Sequence, residues 1–416
     1  MTKLTNNFMI TNRDIIITGL QPWDVDLGSN CVNIAWEFAK NNRVLYVNYP
    51  LNRLVALREK ANPSIQKRIR VLKGEEEDLQ QIDANIWVLT PKCMQESISQ
   101  LKPNFLFDFM NRINNRRFAK QIKSAIDRLG FKDYILFNDN DIYRSFYLNE
   151  LLKPSLYVFY IRDNMVSVKY WLRHGERIQT KLMKKTDLIT ANSALLQDTG
   201  LKHNPHSYYV GQGCDFTIYD DSRILEIPDE IQNIARPIIG YIGAIWSLRL
   251  DISSIRHIAI NKPEWNIVLV GPEDDNFRNS DLHALKNVFF IGKRKPEQLA
   301  SYLKYFDVAI NPQLLSPETI GNYPRKIDEY LAMGKPVVAT KTDAMNVFSD
   351  YCYLAENREE FLTQTEKALA ENTLEKEEKR KEFAKSHTWE NSVAEIYKAI
   401  ELVEPLKKRN KTGITS

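Results

Sequence analysis

Short, continuously apolar segments alternate with longer amphipathic segments along almost the whole chain. The apolar segments lack the polar alternation of a strand with one face in solvent, so they predict strands covered on both faces. Residues 296–306 and 324–333 have helical periodicity instead. Strands separated by helices predict an α/β fold with parallel sheets. The predicted strands are residues 14–18, 44–47, 134–137, 156–160, 189–191, 237–242, 267–270, 288–291, 308–310 and 336–339.

A length of 416 residues exceeds one ordinary domain. Residues 216–236 are polar and loosely patterned and precede a new strand, which predicts a domain boundary. We therefore expect two doubly wound, Rossmann-like domains, residues 1–216 and 217–385, facing a central cleft. Ligands of such sheets bind at the carboxyl ends of the strands, so the cleft is the predicted site.

The charge balance and the cysteine spacing limit which binding partners and which cellular compartment the sequence predicts. The 57 basic and 53 acidic residues give a net charge of only +4, which disfavours nucleic-acid binding. The four cysteines lie far apart, without metal-ligand spacing, and predict reduced thiols. No signal-peptide pattern opens the sequence, and no apolar run approaches the ~18 residues of a membrane span. These features predict a cytoplasmic protein.

The segment 311–340 carries the clearest chemical pattern. A strand ends at Pro312, and a loop containing Gly321 and Asn322 leads to a helix that we expect to begin at Pro324. Backbone N–H groups at such a junction suit a diphosphate. Lys326 and Glu329 share one helix face, where an ammonium suits phosphate and a carboxylate suits ribose hydroxyls. The alternative is a surface helix with an intrahelical Lys326–Glu329 ion pair.

The run PRKIDEYLAMGKPVVAT, from Pro324 to Thr340, resembles the donor-site signature of the large retaining family of GT-B glycosyltransferases. NIVLVGPED at 266–274 and VGQGCD at 210–215 are also similar to that family, and the matches keep the family order over 187–340. The resemblance implies a GT-B fold, a nucleotide-diphosphate sugar as donor, retention at the anomeric carbon and no cofactor. Glu329 would bind the donor ribose.

Further positions take their expected roles from this resemblance. In YIGAIWSLR, Gly243 closes a strand and Arg249 would reach the diphosphate. Basic side chains would replace a divalent metal, so no metal is expected. SHTWE at 386–390 fits a terminal helix, residues 386–406, that crosses back to the first domain before a polar tail at 407–416. The predicted donor-binding residues are Gly243, Arg249, Lys293, Arg294, Gly321, Asn322, Tyr323, Lys326 and Glu329, with Lys293 and Arg294 near the base.

One position departs from the family pattern. The family often carries a second glutamate eight positions before the ribose-binding one, where it helps to position the transferred sugar. That position is Gly321 here, and Glu318 lies three residues earlier. This departure affects the predicted placement of the transferred sugar more than it affects the resemblance to the family.

The first domain offers weaker candidates. Asp163 follows an apolar strand and is the expected catalytic partner of Arg249 and Lys326; capping of a nearby helix is the alternative. His174 lies in a charged stretch, which equally predicts a solvated side chain. Gly28 and Ser29 open a helix, and ordinary N-capping explains them as well. The acceptor-side candidates are Trp23, Asp24, Gly28 and His174.

Residues 105–132 combine phenylalanines with arginines and lysines. Such a segment predicts a peripheral contact with the inner face of a membrane, which would serve a lipid-linked acceptor. An ordinary amphipathic helix pair explains the pattern equally. QPWD at 21–24 and LYVNYP at 45–50 are similar to a subgroup of the family involved in bacterial surface polysaccharide assembly.

The sequence thus predicts a metal-independent, hexosyltransferase-like enzyme that moves a sugar from a nucleotide-sugar donor to a glycan or lipid-linked acceptor in surface polysaccharide biosynthesis. A nucleotide-sugar epimerase or a sugar phosphorylase on the same fold is one alternative. A non-catalytic GT-B scaffold subunit is another, favoured by the missing glutamate at Gly321. A dehydrogenase is disfavoured because no GxGxxG follows the first strand.

Overall fold

The computed structural model describes residues 9–24, 29–59, 61–219, 226–316, 319, 321 and 323–412. The chain forms two compact units. The first unit comprises Met1–Gly211 together with Ser392–Ser416, and the second comprises Gln212–Asn391. The second unit is therefore inserted, in chain order, between two parts of the first.

The first unit is built on an eight-stranded sheet in the order β10-β9-β8-β7-β1-β2-β5-β4. All neighbours pair in parallel except β4 and β5 at one edge. A separate parallel pair, β3–β6, lies outside this sheet. The strands are β1 Asp14–Gly19, β2 Arg43–Val47, β3 Leu51–Asn52, β4 Leu79–Asp83, β5 Ile86–Leu89, β6 Met94–Gln95, β7 Ile135–Asp139, β8 Leu156–Ile161, β9 Leu188–Ala191 and β10 Ser207–Tyr209.

Helices and short 3-10 turns connect these strands. The helices are α1 Asn30–Ala39, α2 Arg53–Arg58, α3 Pro63–Lys73, α4 Asn104–Leu129, α5 Leu148–Leu152, α6 Gly175–Lys185 and α7 Ala194–Leu201. Every residue of β1, β7 and β8 is buried, as parallel strands covered on both faces require.

Helix α4 corrects one expectation. Residues 104–129 form a single helix, not a helix pair. Phe107 and Phe118 are buried in the core, whereas Phe105 is 76% and Phe109 is 61% exposed. The membrane contact expected of this segment stays a prediction. No helix among the described residues has the length and apolarity to cross a bilayer.

The second unit has a six-stranded, all-parallel sheet in the order β13-β12-β11-β14-β15-β16. Alternate residues of β11 enter two different cores: Ile238 and Ile242 pack on one side, and Ile239 and Tyr241 pack on the other. The elements are β11 Ile238–Ile242, α8 Ile252–Asn261, β12 Asn266–Val270, α9 Asp275–Arg278, β13 Val288–Gly292, α10 Pro296–Tyr305, β14 Val308–Asn311, α11 Lys326–Ala332, β15 Val337–Thr340, β16 Tyr353–Ala355, α12 Arg358–Ala370 and α13 Leu374–Lys385.

The last helix, α14 (Trp389–Thr412), packs on the first unit from Ser392 onward. Glu404 accepts two hydrogen bonds from the Arg13 guanidinium, at 3.0 and 3.1 Å. Asn42 Nδ2 donates to the Tyr397 hydroxyl at 3.0 Å. These contacts join β1 and the end of α1 to a helix that comes almost 400 residues later in the chain.

The fold class expected from the sequence is confirmed, and all ten predicted strands are present with ends shifted by one or two residues. The strands that the sequence did not predict are short or lie toward the sheet edges: β3, β4, β5, β6, β10 and β16.

Candidate functional site

The carboxyl end of β11 and the start of α11 are joined by one tyrosine. The Tyr330 hydroxyl accepts from the Ile242 backbone N–H at 2.9 Å and lies 3.2 Å from the Ile242 carbonyl oxygen, to which it donates. Tyr330 is fully buried. Because its hydroxyl satisfies both backbone groups of Ile242, it fixes the distance between the strand end and the first turn of α11.

Lys326 is the first residue of α11 and extends into the space beneath the strand end. Its Nζ donates to the Tyr241 hydroxyl and lies 3.9 Å from the centre of that ring. Burial, together with the charges of Arg249 and Arg325, lowers the pKa of Lys326 to about 7, although Glu329 opposes the shift. No ion pair links Lys326 to a carboxylate in the described part of the chain. Lys326 is half-buried, and an ammonium partly removed from water without an anion is costly, so this position suits an anionic ligand.

The depressed pKa of Lys326 has a consequence for stability. The unfolded chain keeps the lysine proton up to its ordinary pKa near 10.5, but the folded chain loses it near 7. Between those values the unfolded state binds more protons, so the free energy of unfolding rises with pH by up to about 1.4 kcal/mol per unit. From pH 7.5 to 9.5 the native protein should gain about 2 kcal/mol relative to Lys326→Met. Denaturant unfolding of both proteins measures this, and equal pH slopes would contradict the buried lysine.

Two glycines make room around this ammonium. Gly243 has φ +147°, and a Cβ on it would lie 2.7 Å from Lys326 Nζ and 2.8 Å from the Tyr241 hydroxyl. Gly271, at the end of β12, has φ +153°, and its Cβ would lie 1.8 Å from the Gly243 carbonyl oxygen. Both positions therefore require glycine, because a side chain would displace the backbone or the lysine.

Glu329 is held by two side chains and not by Lys326. The Tyr219 hydroxyl donates to Glu329 Oε2 at 2.9 Å, and Arg325 Nε lies 3.4 Å from Oε1. Burial and the neighbouring carboxylate raise the pKa of Tyr219, so this hydroxyl stays a proton donor. The alternative expectation of a surface Lys326–Glu329 ion pair is wrong, since the acid pairs with Arg325 and the lysine points toward Tyr241.

The exposed Arg249 lies in the loop after β11, which backbone hydrogen bonds attach to the segment after β14. Leu314 N–H donates to the Arg249 carbonyl at 2.9 Å, and Asp251 N–H donates to the Pro312 carbonyl at 2.9 Å. The Arg249 charge contributes to the lowered pKa of Lys326, less than burial does. That the two side chains bind one diphosphate stays a prediction.

The start of α11 differs from the expectation. The helix begins at Lys326, two residues after the predicted start at Pro324. Arg325 is the residue that flanks its first position. Gly321 has φ +82°, a conformation that favours glycine. Asn322 and Glu318 lie outside the described residues. With seven residues, α11 contributes to the site mainly through its side chains.

The loop before α11 is attached to a buried aspartate that no sequence pattern selected. The Tyr323 hydroxyl donates to Asp328 Oδ2 at 2.8 Å, and His387 Nδ1 lies 2.6 Å from Asp328 Oδ1. Asp328 is fully buried, and burial raises its pKa while His387 and Tyr323 counteract that rise. Residues missed by sequence reasoning therefore support the site: Tyr219, Tyr241, Asp328, Tyr330 and His387.

The two candidates for base binding differ in their surroundings. The Lys293 side chain is exposed. Arg294 donates to the Tyr302 hydroxyl at 2.8 Å and to Glu230 at 2.6 Å, and Tyr302 also donates to Glu230 at 2.9 Å. The Arg294 guanidinium is thus engaged by protein groups, and contact of either side chain with a base stays a prediction.

The acidic run after β12 is used within the protein. Asp274 accepts from the Phe277 N–H at 2.9 Å, which caps α9, and from the Ser247 N–H at 2.7 Å. Glu273 pairs with His283 at 2.8 Å, and Asp275 pairs with Arg278 at 2.9 Å. Among the described residues, no three His, Cys, Asp or Glu side chains are grouped to hold a metal ion.

In the first unit, Asp163 belongs to a chain of charges at the ends of β7 and β8. Arg162 donates to Asp163 Oδ2 at 2.8 Å and to the buried Asp139 Oδ1 at 2.7 Å. Burial raises the pKa of Asp139, whereas the Arg162 charge opposes the rise. Asp163 keeps 37% of its side chain exposed and pairs with Arg162, which does not fit the helix-capping alternative.

The acceptor-side candidates near β1 are held by neighbours. The Trp23 backbone N–H donates to Asn48 Oδ1 at 2.7 Å. Asp24 pairs with the buried Arg68 at 3.0 Å. Ser29 donates its hydroxyl to Gln21 and makes no capping bond to α1. Gly28 lies outside the described residues.

His174 is not solvated, so that expectation is wrong. Its side chain is 1% exposed, donates from Nε2 to the Leu101 carbonyl at 2.7 Å and stacks on Phe107 with ring centroids 4.1 Å apart. Burial lowers its pKa, which favours the neutral ring. Its burial gives no support to contact with an acceptor.

Comparison with known proteins bears directly on the unit that holds Lys326. Residues 236–375 match the family described as glycosyl transferases group 1. The second unit is therefore similar to the group 1 glycosyltransferases. The chain is also 28% identical over 252 residues to TuaH of Bacillus subtilis (strain 168), which is described as a teichuronic acid biosynthesis glycosyltransferase. That match covers 57% of the chain and 62% of TuaH, which is less than two thirds of the relative's length.

Solved structures show that the chain has the two-domain GT-B fold. Sucrose-phosphate synthase from Thermosynechococcus elongatus is 13% identical, with a TM-score of 0.59 over 97% of this chain and 98% of that one. Trehalose 6-phosphate synthase from Burkholderia multivorans is 10% identical, with a TM-score of 0.64 over 95% and 100%. HepE of Anabaena, solved with UDP and glucose, is 14% identical, with a TM-score of 0.60 over 95% and 99%.

Proposed function

We propose that this protein transfers a sugar from a nucleotide-diphosphate donor to a glycan or lipid-linked acceptor, with retention and without a metal ion. The observation that carries the proposal is the half-buried Lys326 ammonium, which has a tyrosine but no carboxylate partner within the described residues. The family match of the same unit supports it.

In this proposal the positive groups act on the leaving group. Lys326 and Arg249 hold the diphosphate and stabilise the negative charge that develops on it as the bond to the sugar breaks. Glu329, oriented by Tyr219 and Arg325, accepts hydrogen bonds from the ribose hydroxyls. Asp163 is assigned to the reacting sugar. The acceptor then attacks the face of the anomeric carbon that the diphosphate leaves.

The relatives favour one substrate class. HepE binds UDP and glucose, and TuaH is described as acting in teichuronic acid biosynthesis. We therefore propose a uridine-diphosphate hexose as donor and a bacterial surface polysaccharide as product. A cytoplasmic location at the inner face of the membrane fits a lipid-linked acceptor.

The donor is tested by the melting temperature of the purified protein with UDP, GDP, ADP, CMP and their sugar conjugates. At 100 times its Kd, a ligand stabilises the native state by about 2.7 kcal/mol. We expect UDP and a UDP-hexose to raise the melting temperature of the native protein and of Lys286→Ala, an exposed lysine of the same unit. Lys326→Ala should show no rise. Absence of a shift with every nucleotide at millimolar concentration would overturn the proposal.

A turnover assay on the same protein, added to the binding measurement, separates an enzyme from a non-catalytic subunit. Gly321 stands where many family members carry a glutamate, which favours the scaffold alternative. Tight diphosphate binding without transfer to any acceptor would support the scaffold. Release of free sugar or phosphorolysis without an acceptor would support an epimerase or a phosphorylase.

A further inference from the structure

The donor loop, residues 312–325, connects β14 to α11 in the second unit. It contains Gly321 and Tyr323, two of the predicted ligands of the donor, and it leads directly to Lys326. The Tyr323 hydroxyl donates to Asp328 Oδ2 at 2.8 Å. Because Tyr323 lies between the other two positions in sequence, this hydrogen bond fixes the loop where it approaches α11.

Asp328 uses both of its carboxylate oxygens. Oδ2 accepts from Tyr323, and Oδ1 lies 2.6 Å from His387 Nδ1. An ionised carboxylate can only accept, so His387 donates from Nδ1. The Asp328 side chain is fully buried, and an apolar side chain in its place would avoid the cost of burying a charge. The two side chains that it joins therefore account for a carboxylate at this position.

His387 is held by contacts other than its hydrogen bond to Asp328. Its ring lies edge-on to Phe383 and Phe348, with centroids 4.5 and 5.9 Å apart. Its carbonyl oxygen accepts from the Cys214 backbone N–H at 2.9 Å. The imidazole thus presents Nδ1 to Asp328 from a fixed position, as a residue that orients other groups must.

Tyr323 and His387 are also in direct contact with one group of side chains. The Tyr323 hydroxyl lies 3.3 Å from His387 Nδ1, and the Tyr323 ring lies 5.3 Å from Phe348. Loss of the Nδ1 donor would leave a buried oxygen of Asp328 without that hydrogen bond, which is costly enough to turn the carboxylate. Since Tyr323 donates to the same carboxylate, the donor loop would move with it.

We infer that His387 is a positioning residue for the donor diphosphate. Through Asp328 it holds Tyr323, and through Tyr323 it holds the donor loop in the conformation that receives the diphosphate. The inference rests on the proposed function for the identity of the ligand, but the effect of His387 on the loop requires no ligand.

The test is calorimetric titration of the full chain with UDP. In His387→Gln the amide nitrogen stands three bonds from Cβ, as Nε2 does, so Asp328 loses its donor and UDP affinity should fall about tenfold. In His387→Asn the nitrogen stands two bonds from Cβ, as Nδ1 does, so affinity should stay within about threefold of the native value. His257→Gln, at a half-buried histidine of α8, is the control and should bind UDP as the native protein does.

Tyr323→Phe covers the case in which His387→Gln fails to fold, because it removes one hydroxyl and keeps the ring on Phe348. It should weaken UDP binding about as much as His387→Gln does. The double variant should lose little more than either single variant, since both act through Asp328. Native UDP affinity in either folded single variant, or a folded His387→Asn as weak as His387→Gln, would overturn the inference.

Hydrogen exchange measures the effect on the loop without a ligand. The N–H groups of Ile327 and Asp328 donate to the Pro324 and Arg325 carbonyls in the first turn of α11, at 2.9 and 3.1 Å. Their exchange, relative to that of β12, should be at least about tenfold faster in His387→Gln. His387→Asn should restore the native exchange.

These two measurements distinguish this inference from the proposed function. If UDP binds the native protein but neither affinity nor exchange changes in His387→Gln, the positioning role is wrong and the donor proposal stands. If exchange changes as expected while no nucleotide binds the native protein, the donor proposal fails and the effect of His387 on the loop stands.

Discussion

Replacing Lys326 with alanine is expected to lower the rate of sugar transfer by about 100- to 1000-fold, the cost of losing one fixed group that stabilises developing charge. The Nζ of this side chain is held at the Tyr241 hydroxyl and ring, so in the native protein it needs little reorganisation when charge forms on the diphosphate. The fold should survive, because the variant removes a buried charge. The measurement is the steady-state rate with a UDP-hexose and an acceptor.

Two controls accompany this variant. Lys286→Ala removes an exposed lysine of the same unit and should keep the native rate. Lys326→Arg keeps a cation but exchanges a point charge for a larger planar group in a space bounded by Gly243, so it should restore only part of the rate. A native rate in Lys326→Ala, with the protein folded, would remove Lys326 from the site.

Replacing Gly271 with alanine is expected to destabilise the second unit by roughly 3–5 kcal/mol. The residue has φ +153°, and the added Cβ would lie 1.8 Å from the Gly243 carbonyl oxygen, a backbone atom that no rotamer change can move. Relief requires the loops after β11 and β12 to separate, which also displaces Arg249 from its position near Lys326. The measurement is the denaturant midpoint of the second unit.

Gly292→Ala is the matched control. Gly292 ends the neighbouring strand β13 and also has a positive φ, +78°, but its nearest neighbour beyond the adjacent residues is Arg294 Nη1 at 3.9 Å. Gly292→Ala should therefore lose only about 1 kcal/mol of stability, the cost of holding a residue other than glycine at positive φ. If both variants lose the same stability, the close approach of Gly271 to Gly243 is not what requires glycine there.

The sequence predicted the strands well because buried parallel strands are continuously apolar. All residues of β8 and β11 are buried, and both were identified within one residue of their ends. By contrast, β4 is half-exposed at a sheet edge, and the residues of β3 and β6 form a pair of only two residues each. The pairing of β3 with β6 depends on a partner distant in the chain, which no local pattern encodes, and the exposed residues of β4 lack the apolar run by which the other strands were predicted.

The candidate site was predicted in part. Lys326 and Glu329 were selected from helix spacing and motif resemblance and Arg249 from resemblance, and the structure places the Lys326 ammonium at Tyr241 of β11 and pairs Glu329 with Arg325 and Tyr219. Tyr219 was not selected, since it lies in a polar stretch interpreted as a linker, 110 residues before the glutamate that it contacts. His174 shows the reverse error, because a charged neighbourhood in sequence concealed a ring stacked on Phe107 in the core.

Helix α14 determines which of the two units can be completed first during synthesis on the ribosome. The first unit needs residues from Ser392 onward, yet the whole second unit is translated before they emerge, a delay on the order of ten seconds or more. During that interval the surface around Asn42 and Phe38, where Tyr397 later packs, has no cover from α14. The second unit is contiguous and carries no such dependence. Nascent chains therefore complete the nucleotide-binding candidate unit first, and a prematurely terminated product exposes an apolar surface that chaperones and proteases recognise.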